Sequence, residues 1–146
     1  MTTTSDGSTA DYYTIPDATY SIEEFVAVKP FSEGVKRILR CVLHCSMVQV
    51  DRPFPAECME IKDICNALNM NGNLSEMLRA AYRMGADHHS SEERDLKKIK
   101  AYAKFELGRM EVWGGDYTTH AQGATSGAVH SIIATVDGLL AEVATA

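Results

Sequence analysis

The chain has 146 residues, a length that one domain with its own buried core usually accounts for. Hydrophobic residues make up 45% of it and charged residues 23%, which excludes a wholly disordered chain. The formal net charge of −6 excludes a protein that coats nucleic acid with its whole surface, but it permits a local basic face.

The sequence carries no targeting signal that we recognise. Its first residues have neither the basic nor the apolar region of a signal peptide. No apolar run approaches the roughly 18 residues that a membrane span needs, so we expect a soluble chain that does not contact a membrane. Four cysteines without a secretory signal favour a reducing compartment. We therefore expect an intracellular (cytoplasmic) protein or one that forms part of a virion.

The N-terminal segment, residues 1–20, is rich in Thr, Ser and Asp and has no helical period. It is predicted to form an extended or flexible arm. Tyr12, Tyr13 and Ile15 are more apolar than a solvated tail requires, so we predict that the arm docks on a neighbouring subunit. Simple fraying of the terminus is the alternative. The rest of the chain, 21–146, is predicted to be a single helical domain.

Residues typical of helix starts and ends first appear at Ser21. It has capping-box spacing with Glu24 and is predicted to begin a short helix that ends before Pro30. Apolar residues then recur with the helical period, and strand signals are nearly absent. The further predicted helices cover approximately 32–50, 55–69, 73–84, 90–113 and 125–143. The helix over 73–84 is predicted to be capped by Asn73 and to bury Leu74, Met77, Leu78 and Ala81. The apolar face predicted for the last helix consists of Val129, Ile132, Ile133, Val136, Leu139, Leu140 and Val143. The predicted fold class is therefore all-α, a bundle of five to six helices with an extended N-terminal arm.

Cysteine and histidine residues raise the question of a metal site. Cys41, His44 and Cys45 share helical spacing, and Cys58, Cys65 or the His88–His89 pair could complete a tetrahedral set. Zinc sites usually show two closely spaced cysteine pairs on tight turns, and these are absent from the sequence. Cysteines packed in the core are the favoured interpretation, and no metal or other cofactor is predicted.

Catalytic motifs are also lacking. The sequence has no G-x-S-x-G nucleophile turn and no complete phosphate-binding loop. No pair of carboxylates stands in an apolar setting that would tune it for acid–base chemistry. We predict that the protein is not an enzyme.

Two stretches, 29–52 and 94–112, carry net positive charge, whereas the rest of the chain is net negative. In both, the basic side chains lie opposite the apolar stripe of a predicted helix. Exposed cations beside an aromatic ring suit single-stranded RNA, with phosphates on the charges and a base on the ring. A solvated helix face and a protein interface are the alternatives. The predicted nucleic-acid-binding residues are Lys36, Arg37, Arg40, His44, Arg94, Lys97, Lys98, Lys104, Phe105 and Arg109.

The last predicted helix is apolar on one side and lined by small residues on the other. Small side chains let another backbone approach closely, so this helix is either central in the bundle or packed against another subunit. The residues predicted to mediate self-association are therefore Gly127, Ser131, Ala134, Gly138 and Ala141 of this helix, together with Tyr12, Tyr13 and Ile15 of the arm.

These features together predict a non-enzymatic structural protein that self-assembles as a homo-oligomer. Its basic helix faces are predicted to hold single-stranded RNA, as a capsid or nucleocapsid subunit does. A Ser- and Thr-rich head before a helical core resembles the organisation of helical viral coat proteins, although no motif residue carries that likeness. The alternative is a monomeric intracellular adaptor or regulatory module that binds an acidic protein partner.

Overall fold

The computed structural model describes residues 22–46, 60–68, 70–84, 92–113 and 126–145. Within these ranges the chain forms six α-helices and no strand. This confirms the all-α fold class and the predicted five to six helices, while the predicted arm, with Tyr12, Tyr13 and Ile15, lies outside the described residues. The helices are α1 (Ile22–Phe25), α2 (Glu33–Ser46), α3 (Ile61–Ala67), α4 (Gly72–Arg83), α5 (Glu92–Trp113) and α6 (Ser126–Thr145).

The four longer helices form a closed ring. Helix α2 packs against α4 and α6, and α5 packs against the same two helices, so α2 and α5 occupy opposite corners. The short helices are additions to this ring, because α1 packs on α2 and α3 packs on α4. The arrangement is that of a four-helix bundle whose core lies between the inner faces of the ring.

The core is built from the apolar stripes that the helical period predicts. Leu74, Met77, Leu78 and Ala81 of α4 are fully buried, as expected. An aromatic cluster supports one end of the core, where the ring of Tyr82 stacks on Phe25 with centroids 5.4 Å apart. Further buried residues on the predicted stripes are Val35, Ile38, Leu39, Val42, Ile61, Ile64, Cys65, Leu96, Ile99, Ala103, Val129, Ile132 and Val136.

Two predicted helix starts are wrong. Helix α3 begins after Glu60, whose extended backbone (φ −141°, ψ 163°) ends any helix that runs on from residue 55. The backbone N–H of Glu60 donates to Asp63 at 3.0 Å, which completes a capping box. Helix α4 is capped by Asn71, whose side chain accepts from the N–H of Leu74 at 2.9 Å. The predicted cap, Asn73, instead donates to a carboxylate on α5.

Helices α2 and α6 approach each other closely at a glycine. A Cβ atom placed on Gly34 would lie 2.7 Å from Cδ2 of Leu139, well inside van der Waals contact. Further along the same pair, the thiol of Cys41 lies 3.7 Å from the hydroxyl of Ser131. The absent side chain at position 34 therefore lets Leu139 pack directly on the backbone of α2.

The sequence predicts no stretch that could span a membrane, but the length and hydropathy of helix α6 do not agree with that prediction. In the described part of the chain, Ser126–Ala144 is one helix long and apolar enough to do so, with a mean hydropathy of 1.3. Length and composition alone are weak evidence, because a mostly buried core helix of a soluble protein passes the same test, but only 17% of this window is buried in the subunit. Here α6 packs on both α2 and α5, and its Asp137 accepts from Lys100 of α5 at 2.7 Å. These contacts are those of a bundle helix.

We predict that Gly34→Val destabilises the fold by roughly 1–3 kcal/mol, because the new side chain must displace Leu139 from the α2–α6 contact. Urea denaturation followed by circular dichroism measures the change. The matched control is Gly138→Val on α6, where a Cβ atom meets nothing within 4 Å, and its effect should stay within about 0.5 kcal/mol. Equal losses at both positions would contradict the close approach.

Candidate self-association and nucleic-acid surfaces

The outer face of α2 carries the first set of predicted nucleic-acid-binding residues. Arg37 and His44 are exposed, and Lys36 and Arg40 are half-buried beside α1. The structure thus confirms that these side chains lie away from the core. They do not all carry free charge, because Lys36 lies 3.5 Å from the carboxylate of Glu33, one turn before it.

Arg40 makes a bidentate ion pair that ties α2 to α1. Its Nε and a terminal nitrogen donate to the two carboxylate oxygens of Glu23 at 2.9 and 3.0 Å. These hydrogen bonds lower the pKa of Glu23 below its ordinary value of 4.5 and raise the pKa of Arg40. The pair is intact at neutral pH, and its contribution disappears as the pH falls through the lowered pKa of Glu23.

The second set lies on α5, where ion pairs are more extensive. Lys97 pairs with Glu93 at 2.8 Å one turn earlier, and Lys98 reaches Glu76 of α4 at 3.3 Å. Both Lys97 and Lys104 are exposed, as is Arg94. A phosphate that binds at Lys97 or Lys98 has to compete with these carboxylates.

Arg109 is not the exposed cation that the sequence analysis predicts. Its guanidinium donates to both oxygens of Glu106, at 3.0 and 2.6 Å, and its side chain is only 17% exposed. Glu106 is fully buried and also accepts from the side-chain amides of Asn71 and Asn73, at 2.9 and 3.0 Å. The carboxylate therefore joins the start of α4 to the second half of α5, and Arg109 belongs to this buried network.

A second buried carboxylate, Asp95, pairs with Arg83 at the other end of α4. Neither Asp95 nor Glu106 was predicted from the sequence to have a structural role. The signal that could have found them is their position on the helical wheel, because both project from the inner side of α5, between apolar core positions.

Phe105 and Val112 are the exposed large hydrophobic side chains of the described chain, with 59% and 73% of their surface accessible. Both lie on the outer face of α5. The exposure that the sequence analysis predicts for Phe105 is confirmed. Tyr102 packs edge-on against the Phe105 ring, with centroids 5.4 Å apart, which holds the ring at the surface.

The small-residue face of α6 divides into two parts. Ser131 is half-buried and contacts Cys41 of α2, so it belongs to the bundle. Gly127, Ala134, Gly138 and Ala141 are exposed. Of the two expectations for this helix, a central position is therefore wrong, since α6 occupies a corner of the ring with one side open.

A cleft of about 400 Å³ runs between the outer edges of α2 and α6. It brings Arg37 and Arg40 from the predicted nucleic-acid set together with Ala134 and Gly138 from the predicted self-association set. Two acids, Glu33 and Glu142, also line this cleft, so its charge is mixed.

The structure does not bring the two basic faces together. Helices α2 and α5 lie at opposite corners of the ring, and their basic side chains point outward from those corners. A single groove lined by both faces is therefore not formed within one subunit.

Within the described residues, no group of three His, Cys, Asp or Glu side chains is placed to hold a metal ion. Cys65 is buried, and burial raises the pKa of its thiol, which keeps it protonated at neutral pH. The other candidate ligands Cys58, His88 and His89 lie outside the described residues, as does the side chain of Cys45.

Comparison with known proteins found no matching family model, no similar curated protein and no similar solved structure.

We predict that Glu106→Ala lowers the free energy of unfolding by about 3–5 kcal/mol, because it leaves Arg109 and two asparagine amides without their common acceptor. Denaturant titration measures the loss. The matched control is Glu93→Ala on the same helix, which removes an exposed pair with Lys97 and should cost no more than about 0.5 kcal/mol. Similar losses in the two variants would show that the buried network has no special structural role.

Proposed function

We propose that this protein is a non-enzymatic structural subunit that self-associates, and that the assembly holds single-stranded RNA on basic helix faces, as a capsid or nucleocapsid subunit does. The observation that carries the proposal is the exposed apolar surface of α5, with Phe105 and Val112 at its centre. A subunit that remained alone would keep both side chains in water, whereas burial in an interface stabilises them.

Helix α6 supports the self-association part of the proposal. Its exposed side combines Gly127, Ala134, Gly138 and Ala141, which together leave a smooth surface on which a second backbone can pack. The predicted arm is a further contact of this kind, with Tyr12, Tyr13 and Ile15 as its apolar side chains.

The RNA part of the proposal is supported mainly by α2. Arg37 and His44 are exposed there, and Arg40 lies between them on the same face. Arg37 and Arg40 also line the cleft beside α6, which holds two acids, Glu33 and Glu142, as well. Because the net charge of the chain is negative, contact with RNA is confined to such local faces.

Size-exclusion chromatography with light scattering, recorded at 260 and 280 nm, tests both parts at once. The proposal predicts a species larger than one 16.0 kDa chain, with a raised 260/280 ratio that falls in high salt. Large particles without nucleic acid would remove the RNA part. A monomer at every concentration and salt would support the alternative, a monomeric adaptor that binds an acidic protein.

We predict that Arg37→Glu reduces retention of a single-stranded RNA oligonucleotide and flattens its salt dependence, because one phosphate contact is lost and replaced by repulsion. Fluorescence anisotropy across a salt series measures both effects. The matched control is Lys62→Glu, which makes the same charge change at an exposed position on α3. Equal loss in both variants would mean that RNA responds to total charge rather than to the α2 face.

A further inference from the structure

Four exposed residues form a continuous stripe along the outer face of α5: Ala101, Phe105, Gly108 and Val112. Their spacing of four, three and four residues keeps them on one side of the helix. This is the spacing by which one helix packs along another in a coiled coil. The opposite side of α5 is already occupied by the core and by α4 and α6.

The order of large and small residues in this stripe is self-complementary. If two copies of α5 run antiparallel about a two-fold axis, the register that sets Phe105 opposite the partner's Gly108 also sets Val112 opposite the partner's Ala101. The two pairings coincide because Ala101 precedes Phe105, and Gly108 precedes Val112, by the same number of residues. Each large side chain then meets a position with little or no side chain.

The charges that flank the stripe agree with the same register. Lys104 and Glu111 are both exposed and lie on the same edge of the stripe, two turns apart. In an antiparallel pair like edges face each other, which places Lys104 next to the partner's Glu111 and repeats that contact through the symmetry axis. Size and charge therefore select one arrangement independently.

From these observations we infer that the outer face of α5 is a homodimer contact, formed by α5 of a second copy in the antiparallel register set by Phe105 and Gly108. The inference rests on the proposed function, because it names the surface through which the subunit self-associates. Tyr102 holds the Phe105 ring edge-on before the partner arrives, so little side-chain freedom is lost on binding.

This contact changes the assignment of two predicted nucleic-acid residues. Phe105 and Lys104 face the second copy and are not available for a base and a phosphate. RNA in the assembly is then held chiefly by the face of α2, at the opposite corner of the ring, where the dimer leaves Arg37 and His44 open to solvent.

Sedimentation equilibrium across a concentration series tests the contact with the full-length protein. We expect Gly108→Leu to weaken dimerisation by roughly tenfold or more, because the new side chain fills the space for the partner's Phe105. A Cβ atom at position 108 meets nothing within 4 Å in the subunit, so the variant should fold with unchanged or increased helicity. Gly72→Leu on α4 is the matched control, because Gly72 is also an exposed helical glycine with nothing within 4 Å of an added Cβ atom. Gly138→Leu tests the other candidate surface, on α6.

A charge exchange tests the register. Lys104→Glu and Glu111→Lys should each weaken the dimer by like-charge repulsion, and the double variant should restore it. Within one helix these side chains are too far apart to compensate each other, so restoration identifies contact between copies.

A dimer that survives Gly108→Leu but is lost in Gly138→Leu would overturn the inference and place self-association on α6. A wild-type protein that stays monomeric at every concentration would overturn the proposed self-association as well.

Discussion

Two buried carboxylates on α5 fix how that helix sits in the bundle. Asp95 pairs with Arg83 near the end of α4, and Glu106 accepts from Asn71 near its beginning. The two ties lie at opposite ends of an antiparallel helix pair, so α5 can neither slide nor rotate without leaving a buried charge unpaired. Removing one partner from such a site costs several kcal/mol, which is far more than an exposed ion pair contributes.

This constraint determines what the subunit presents to its surroundings. With Asp95 and Glu106 turned inward, the opposite side of α5 has to face outward, and that side carries Phe105, Gly108 and Val112. Lys97 and Lys98 are placed at the edges, where nearby glutamates partly neutralise them. The outer face of α5 is thus less basic than its lysine count indicates, which favours contact with a protein surface over contact with a polyanion.

The fold class could be predicted from the sequence, because the apolar residues recur with the helical period and this pattern can be recognised without knowledge of tertiary contacts. The predicted stripe of α4 is confirmed by the burial of Leu74, Met77, Leu78 and Ala81. The predicted stripe of α6 is confirmed in part, because Val129, Ile132 and Val136 are buried whereas its other members are half-buried. The buried networks of charged side chains could not be predicted from this pattern. Arg109 was assigned to the surface from its wheel position, but the carboxylate that binds it is completed by two asparagines from another helix. The wheel position of Glu106 could have shown that it faces inward, but its partners depend on how the helices pack, which helix periodicity does not determine.

The same limit explains why the α4 cap was placed on the wrong asparagine. Asn71 and Asn73 have equal intrinsic preference for the cap position, so local rules could not separate them. In the structure the side-chain amides of both asparagines donate to Glu106, and the carbonyl oxygen of Asn71 accepts the cap hydrogen bond from the N–H of Leu74.

Exposed glycines within helices give a final argument for contacts beyond the single subunit. The glycine at position 34 is explained by the structure, since Leu139 occupies the space where a side chain would lie. Gly108 and Gly138 have none within the subunit, and each lowers helix stability by about 1 kcal/mol relative to alanine. The proposed contact with a second copy would supply the missing reason, because a residue without a side chain leaves room for a large group from a partner. These glycines lie on neighbouring corners of the ring, on α5 and α6, and mark the two candidate surfaces for the proposed assembly.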